Sequence, residues 1–228
     1  MTTPLTRGAA SAAIENSGWR FLLGALATSV TVDSIERAAQ VAQEAASACG
    51  DDSDDHLWLD LRPSRVEIRL QTASIGRVTE TDIELSRRID AAFGALGLSI
   101  GGATSSDGRR STQTLEIAID ALEIPAVLPF WRAVMGYMTE PGDAPGIEVF
   151  DPVGQGPTIW FQQMDEPRPQ RNRIHFDLTV PHDEAQARID AALAAGGHLV
   201  SAEEARAFWI LADAEGNEVC ICTWQDRD

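Results

Sequence analysis

The sequence predicts an α+β fold in two parts: an antiparallel sheet with helices on one face, then a unit of two βαβββ repeats. Three observations carry this. The Gly- and Ser-rich stretch Ser99–Thr112 divides the 228-residue chain into two halves of domain size. The first half runs strand, helix, two strands, helix by its apolar periodicity. The second half carries four landmarks twice in the same order. At 44% apolar residues, each half has the material for a core.

In the first half, Trp19–Val32 ends in alternating β-branched residues and is expected to be a strand. Asp33 and Ser34 supply N-cap chemistry for a helix through Ala48, with Ile35, Ala38, Val41 and Ala45 on its inner face. Trp58–Leu61 and Val66–Thr72 are the next strands. The order Val-Glu-Ile-Arg-Leu over 66–70 alternates strictly, so one face is buried and the other wet. A second helix opens at Thr79-Glu-Thr-Asp82 and runs to about Gly97, with Ile83, Ile89, Phe93 and Leu96 inward.

In the second half, strand Leu115–Ile119, helix Ile124–Met135 with Gly136, Asp151-Pro-Val-Gly154 and strand Thr158–Gln162 form the first copy. Strand Ile174–Val180, helix Asp183–Ala195 with Gly196, Asp213-Ala-Glu-Gly216 and strand Glu218–Cys222 form the second. Glu116 precedes Gly136 by 20 residues, and His175 precedes Gly196 by 21. Each copy alone leaves one sheet face uncovered, so a pair of them is expected to enclose a cleft. The boundaries read as 1–98, a linker at 99–112, and 113–228.

Composition narrows the chemistry. The net charge is −17, and all 18 basic residues are Arg. Without Lys there is no Schiff base, no Walker-type phosphate loop and no lysine base. The acidic balance argues against nucleic acid or an anionic membrane as partner. No signal-like apolar run follows the start, and Cys49, Cys220 and Cys222 form no disulfide framework, so a reducing cytoplasm is expected. Four His remain for acid–base or metal work: His56, His175, His182 and His198.

Phe130-Trp-Arg-Ala-Val-Met-Gly136, Asn172-Arg-Ile-His-Phe-Asp-Leu178 and Leu211-Ala-Asp-Ala-Glu-Gly-Asn217 resemble the vicinal oxygen chelate superfamily, in its glyoxalase-like and bleomycin-resistance-like members. The resemblance places that superfamily's metal positions on Glu116, on Trp160 or Gln162, on His175 and on Cys220. An indole is not a metal ligand, so the expectation is a metal-free cleft with no cofactor. A rearranged site on Glu116 and His175, serving a metal-dependent isomerase or dioxygenase, is the other reading. His175 and Asp177 share a strand face and form either a ligand-orienting pair or a structural one, with Arg173 a competing partner for Asp177. Trp131, Trp160 and Trp209 serve either as floor of an aromatic pocket or as core. Cys220 and Cys222 point to one side as buried small apolar residues.

Gly18-Trp19, Val41-Ala-Gln-Glu-Ala45, the strand Val66–Thr72 and Thr79-Glu-Thr-Asp82 resemble pterin-4a-carbinolamine dehydratase (4a-hydroxytetrahydrobiopterin dehydratase). That family carries a His-His-Pro tripeptide, a further His after the second strand, and an Asp at the next helix start. Here these positions hold Asp55-His56-Leu57, Ala73 and Asp82. Eliminating water from a 4a-hydroxypterin needs one group to protonate the leaving hydroxyl and one to take a proton from nitrogen. The resemblance thus implies a lyase with His56 as acid–base group, Asp82 orienting it and Asp55 beside it.

The same order of domains resembles fused proteins of high-GC actinobacteria. In this reading the second unit binds a small, heteroaromatic molecule such as a pterin against Glu116, Trp160, Gln162, His175, Asp177 and Cys220, and a homo-oligomer is expected. The competing class is a non-catalytic, bleomycin-resistance-like sequestering protein in which the first half serves oligomerisation. The replacements at Asp55, Ala73, Trp160 and Cys220 favour that class.

Overall fold

The structure is a computed structural model, and it describes residues 3–101, 112–139, 147–168, 170 and 172–227. The chain divides into two compact units, Met1–Thr114 and Leu115–Asp228. Both mix helices with sheets, the α+β class that the periodicities require. Among the described residues no helix is long and apolar enough to cross a membrane.

The first unit runs α1 (Arg7–Ala13), β1 (Arg20–Leu22), β2 (Ala25–Thr31), α2 (Ile35–Cys49), α3 (Ser53–His56), β3 (Leu57–Arg62), β4 (Arg65–Leu70) and α4 (Glu80–Ala95). Its sheet has the order β1-β2-β4-β3 and is antiparallel throughout. The expected strand over Trp19–Val32 is a hairpin instead, because Leu23 and Gly24 both take positive φ and reverse the chain. Ser34 caps α2 by accepting from the Arg37 N–H at 3.1 Å.

Val66, Ile68 and Leu70 of β4 meet Ala38, Val41 and Ala45 of α2 and Ile83, Ile89 and Phe93 of α4 in one core. Two expected inner residues do not join it. Ile35 is 55% and Leu96 48% exposed, since each lies at a helix end, beyond the reach of the opposing layer. Trp19 is fully buried, and its indole N–H donates to Asp90 Oδ1 at 2.7 Å. Gly18 is required beside it because a Cβ there would stand 2.5 Å from Ile100. Ile100 bridges to Val30, and the Gly101 N–H donates to Ser29. The start of the Gly/Ser stretch is therefore tied to the first sheet, while residues 102–111 lie outside the described residues.

The second unit runs β5 (Glu116–Ala121), α5 (Ile124–Met135), β6 (Glu148–Val149), β7 (Thr158–Gln163), β8 (Phe176–Thr179), α6 (Ala185–Ala194), β9 (His198–Ser201), β10 (Phe208–Ala212) and β11 (Glu218–Cys222). Its sheets have the orders β5-β7-β6 and β8-β11-β10-β9. In each, the first and last strands of the copy pair in parallel, β5 with β7 and β8 with β11.

The repeat extends to hydrogen bonds. Asp151 accepts from the N–H groups of Val153, Gln155 and Gly156, and Asp213 from those of Glu215 and Asn217. Gly154 and Gly216, each three residues on, take positive φ. Burial acts to raise the Asp151 carboxyl, but the backbone donors of Gly156, Val153, Gln155 and Gly154 outweigh it and hold the pKa low.

The copies are pinned to each other. The buried Trp131 indole donates to Asp213 Oδ2 at 2.9 Å, and Glu215 accepts from the N–H groups of Leu122 and Glu123. Gly197 packs against Phe130, where an added Cβ would come within 2.2 Å of the ring. Because Phe130 is wholly buried and cannot yield, Gly197→Ala is expected to destabilise the second unit by about 1–3 kcal/mol, read as a lower urea midpoint.

Candidate functional site

In the first unit the end of the sheet gathers a buried polar cluster. His56 closes α3, Thr72 follows β4, and Asp82 lies in the first turn of α4. Backbone pairing brings them together: the Gln71 N–H donates to the His56 carbonyl at 3.0 Å, and the Ala73 N–H to that of Asp55 at 2.9 Å. His56 Nδ1 lies 2.7 Å from Asp82 Oδ1, with the ring only 10% exposed and the carboxylate fully buried. Asp82 Oδ2 accepts from the Thr79 N–H at 2.7 Å and from the Thr72 hydroxyl at 2.8 Å. The bond to Thr79 closes one side of a capping box, so the carboxylate is fixed by the helix start before it meets the imidazole.

The chemistry follows from the tautomer. A carboxylate accepts only, so Nδ1 carries the proton that bonds Asp82, and Nε2 is the nitrogen left for a ligand. His56 is thus a buried imidazole oriented by Asp82 rather than a solvated member of the acidic run before it. Asp55 is exposed and touches the cluster through its backbone carbonyl. Position 73 is Ala and contributes no side-chain donor. Thr72 is the member that sequence reasoning missed. Its hydroxyl lies within 3.4 Å of His56 Nδ1 as well, and no spacing rule marks a lone threonine for that place.

In the second unit the alternation of each strand sorts core from open face. Ile117, Ile119, Ile159 and Phe161 point to the core, which puts Glu116, Ala118, Trp160 and Gln162 on the open side. Likewise Phe176, Leu178, Val219 and Ile221 are core, and Asp177 pairs with Cys220 on the open side. Ala118 pairs with Trp160 just as Asp177 pairs with Cys220, so Trp160 rather than Gln162 is the repeat partner of Cys220. Trp131 is fully buried against Phe130 and Phe176, and Trp209 packs on the same core; of the three indoles only Trp160 faces outward.

His175 Nε2 lies 3.5 Å from Asp177 Oδ1, and this is the ion pair that Asp177 makes among the described residues. His175, Asp177 and Cys220 place one donor atom each within 4.8 Å of one another; Glu116 is not of that group. Burial pushes the Cys220 thiol up to about 12, helped by its hydrogen bond to Asp177, and Cys49 up to about 11. Cys222 is raised by the same burial. With all three thiols buried and protonated, a disulfide exchange reagent at neutral pH is expected to leave the native chain unlabelled while the urea-unfolded chain reacts at all three.

The two geometries agree with two family models. Residues 3–92 match a model described as pterin 4 alpha carbinolamine dehydratase, and residues 116–222 one described as a glyoxalase-like domain. The chain joins a pterin dehydratase-like domain to a glyoxalase-like domain.

Among solved structures, the chain is similar to a transcriptional coactivator/pterin dehydratase from Brucella melitensis, at 26% identity over 40% of this chain and 98% of that one, TM-score 0.35. It is similar to a glyoxalase/bleomycin resistance protein/dioxygenase family enzyme from Burkholderia phytofirmans PsJN, at 17% identity over 47% and 95%, TM-score 0.35. It is also similar to a fosfomycin resistance protein from Mesorhizobium loti, at 10% identity over 47% and 88%, TM-score 0.38. No curated protein matches the chain.

Proposed function

We propose that the first unit is a hydro-lyase that dehydrates a 4a-hydroxytetrahydropterin, with His56 as its acid–base group. The observation that carries the reading is the 2.7 Å contact between His56 Nδ1 and Asp82 Oδ1, which leaves Nε2 as the working nitrogen. Dehydration moves one proton from the pterin nitrogen to the departing hydroxyl, with no net change in the protein. The His56 imidazolium gives its Nε2 proton to the leaving oxygen as the C–O bond breaks. The neutral ring then takes the proton from nitrogen, so one imidazole performs both transfers in turn. Asp82 stabilises the imidazolium and holds the ring plane, and Thr72 and Thr79 hold Asp82.

The second unit, in this reading, binds a small heteroaromatic molecule on its open faces. Trp160 gives a surface for stacking, and Glu116, Gln162, His175, Asp177 and Cys220 give polar contacts. The alternative class, a non-catalytic binding protein, is favoured by Ala73, which removes one imidazole of the family's set. The two separate in one assay. The full chain with synthetic 4a-hydroxytetrahydropterin is expected to speed dehydration above the buffer rate; a rate equal to buffer overturns the lyase reading.

A further inference from the structure

We propose that Gln71 is a positioning residue for the His56–Asp82 pair, acting through three hydrogen bonds that join the segments carrying the site. The proposal deepens the hydro-lyase reading of the first unit, and only its rate measurement rests on that reading. Gln71 stands half-buried between the end of β4 and Thr72. Its backbone N–H donates to the His56 carbonyl at 3.0 Å. Its side-chain amide nitrogen donates to the Gly24 carbonyl at 3.0 Å and to the Gly76 carbonyl at 2.8 Å. Carbonyls only accept, so the amide nitrogen and not its oxygen faces them, and both amide N–H groups are spent.

The two carbonyls belong to different turns. Gly24, at φ +77°, lies in the reversal between β1 and β2. Gly76, at φ +61°, lies in the turn between Thr72 and Arg77, whose ends bridge to each other. The turns approach closely, since a Cβ on Gly24 would stand 3.1 Å from the Gly76 oxygen and 3.4 Å from the Gln71 amide nitrogen. The Gln71 amide is the clasp between them.

The consequence reaches the site through Asp82. Its Oδ2 accepts from the Thr72 hydroxyl and the Thr79 N–H, which flank Gly76 in the chain. The side chain of Gln71 holds that segment through Gly76, and its backbone holds the α3–β3 junction at His56. One residue therefore sets the segment that orients Asp82 against the segment that carries the imidazole. The 2.7 Å contact of His56 Nδ1 with Asp82 Oδ1 depends on both. A displacement of about 1 Å is enough to cost a well-placed group up to about 10² in rate.

Proton NMR of the full chain tests this directly, because an imidazole N–H held by a buried carboxylate resonates far downfield. Wild type is expected to show such a resonance, and His56→Ala to lack it. Gln71→Glu keeps the size of the side chain but can only accept, so it deletes both donors. It should shift or broaden the resonance beyond detection while near-ultraviolet circular dichroism stays native. Gln71→Asn keeps the amide but draws it back by one methylene, and it should give an intermediate signal if Gln71→Glu fails to fold. With 4a-hydroxytetrahydropterin, Gln71→Glu should lower kcat by about 10–100-fold and leave KM within about twofold. A resonance unchanged in both Gln71 variants overturns the proposal. So does a raised KM at constant kcat, which would make Gln71 a ligand contact, and so does a wild type without a His56-dependent resonance. If wild type does not dehydrate the pterin, the hydro-lyase reading falls and the resonance still decides the role of Gln71.

Discussion

His56→Ala is expected to lower the rate of 4a-hydroxytetrahydropterin dehydration by about 10²–10⁴, the usual effect of one general acid–base group. The upper part of that range applies if one imidazole makes both proton transfers, because Asp55 is exposed and position 73 is Ala. Removing the ring also strands Asp82 Oδ1 in a buried site, at a cost of about 1–3 kcal/mol of stability. The rate is therefore compared at a temperature where circular dichroism shows both proteins folded. Thr72→Val keeps the shape and deletes the donor to Asp82, so it should slow dehydration by a smaller factor. Equal rates in wild type and His56→Ala would remove the imidazole from the mechanism.

Asp213→Ala is expected to be the most damaging single change in the second unit, lowering stability by roughly 3–5 kcal/mol. The carboxylate is fully buried and accepts from the Trp131 indole, the Glu215 and Asn217 N–H groups and the Asn217 amide. Water can replace it for the loop donors but not for Trp131, which is 0% exposed. Its repeat partner gives the internal control. Asp151 is only partly buried and serves its own loop, so Asp151→Ala should cost about 1–2 kcal/mol. Urea unfolding of the full chain measures both, and equal losses would show that the Trp131 bond carries no special weight.

The asymmetry between these loops marks what a sequence can display. The spacing Asp-x-x-Gly stands at corresponding places of the two copies, at 151–154 and 213–216, and there it does build the same turn. That Asp213 reaches Trp131, 82 residues away, while among the described residues Asp151 accepts from its own loop, depends on which copy's loop abuts the other copy's helix. Periodicity located β4 by its clean alternation and α4 by its helical stripe, and the internal repeat located α5 and β11. It missed α1, a short Ala-rich turn, and β10, an unbroken apolar run in which no face stands out. Ile35 and Leu96 obey the helical spacing and are exposed all the same, since spacing fixes a face but not how far the opposing layer extends.

By itself the sequence determined the order of the longer elements it located, the duplication in the second half, the two family resemblances and the absence of lysine chemistry. It also supplied the short set of histidines on which acid–base or metal work must rest. Only the tertiary structure decided which of them have partners. His56 is joined to Asp82 across 26 residues by the pairing of residues 56 and 71, with Thr72 arriving as a consequence. Cys220 is set beside Asp177 by parallel register, while Glu116 remains apart. Residue type and local period are properties of a few neighbouring positions. Strand register and helix docking are set by the burial of the whole core, and they choose which distant side chains meet.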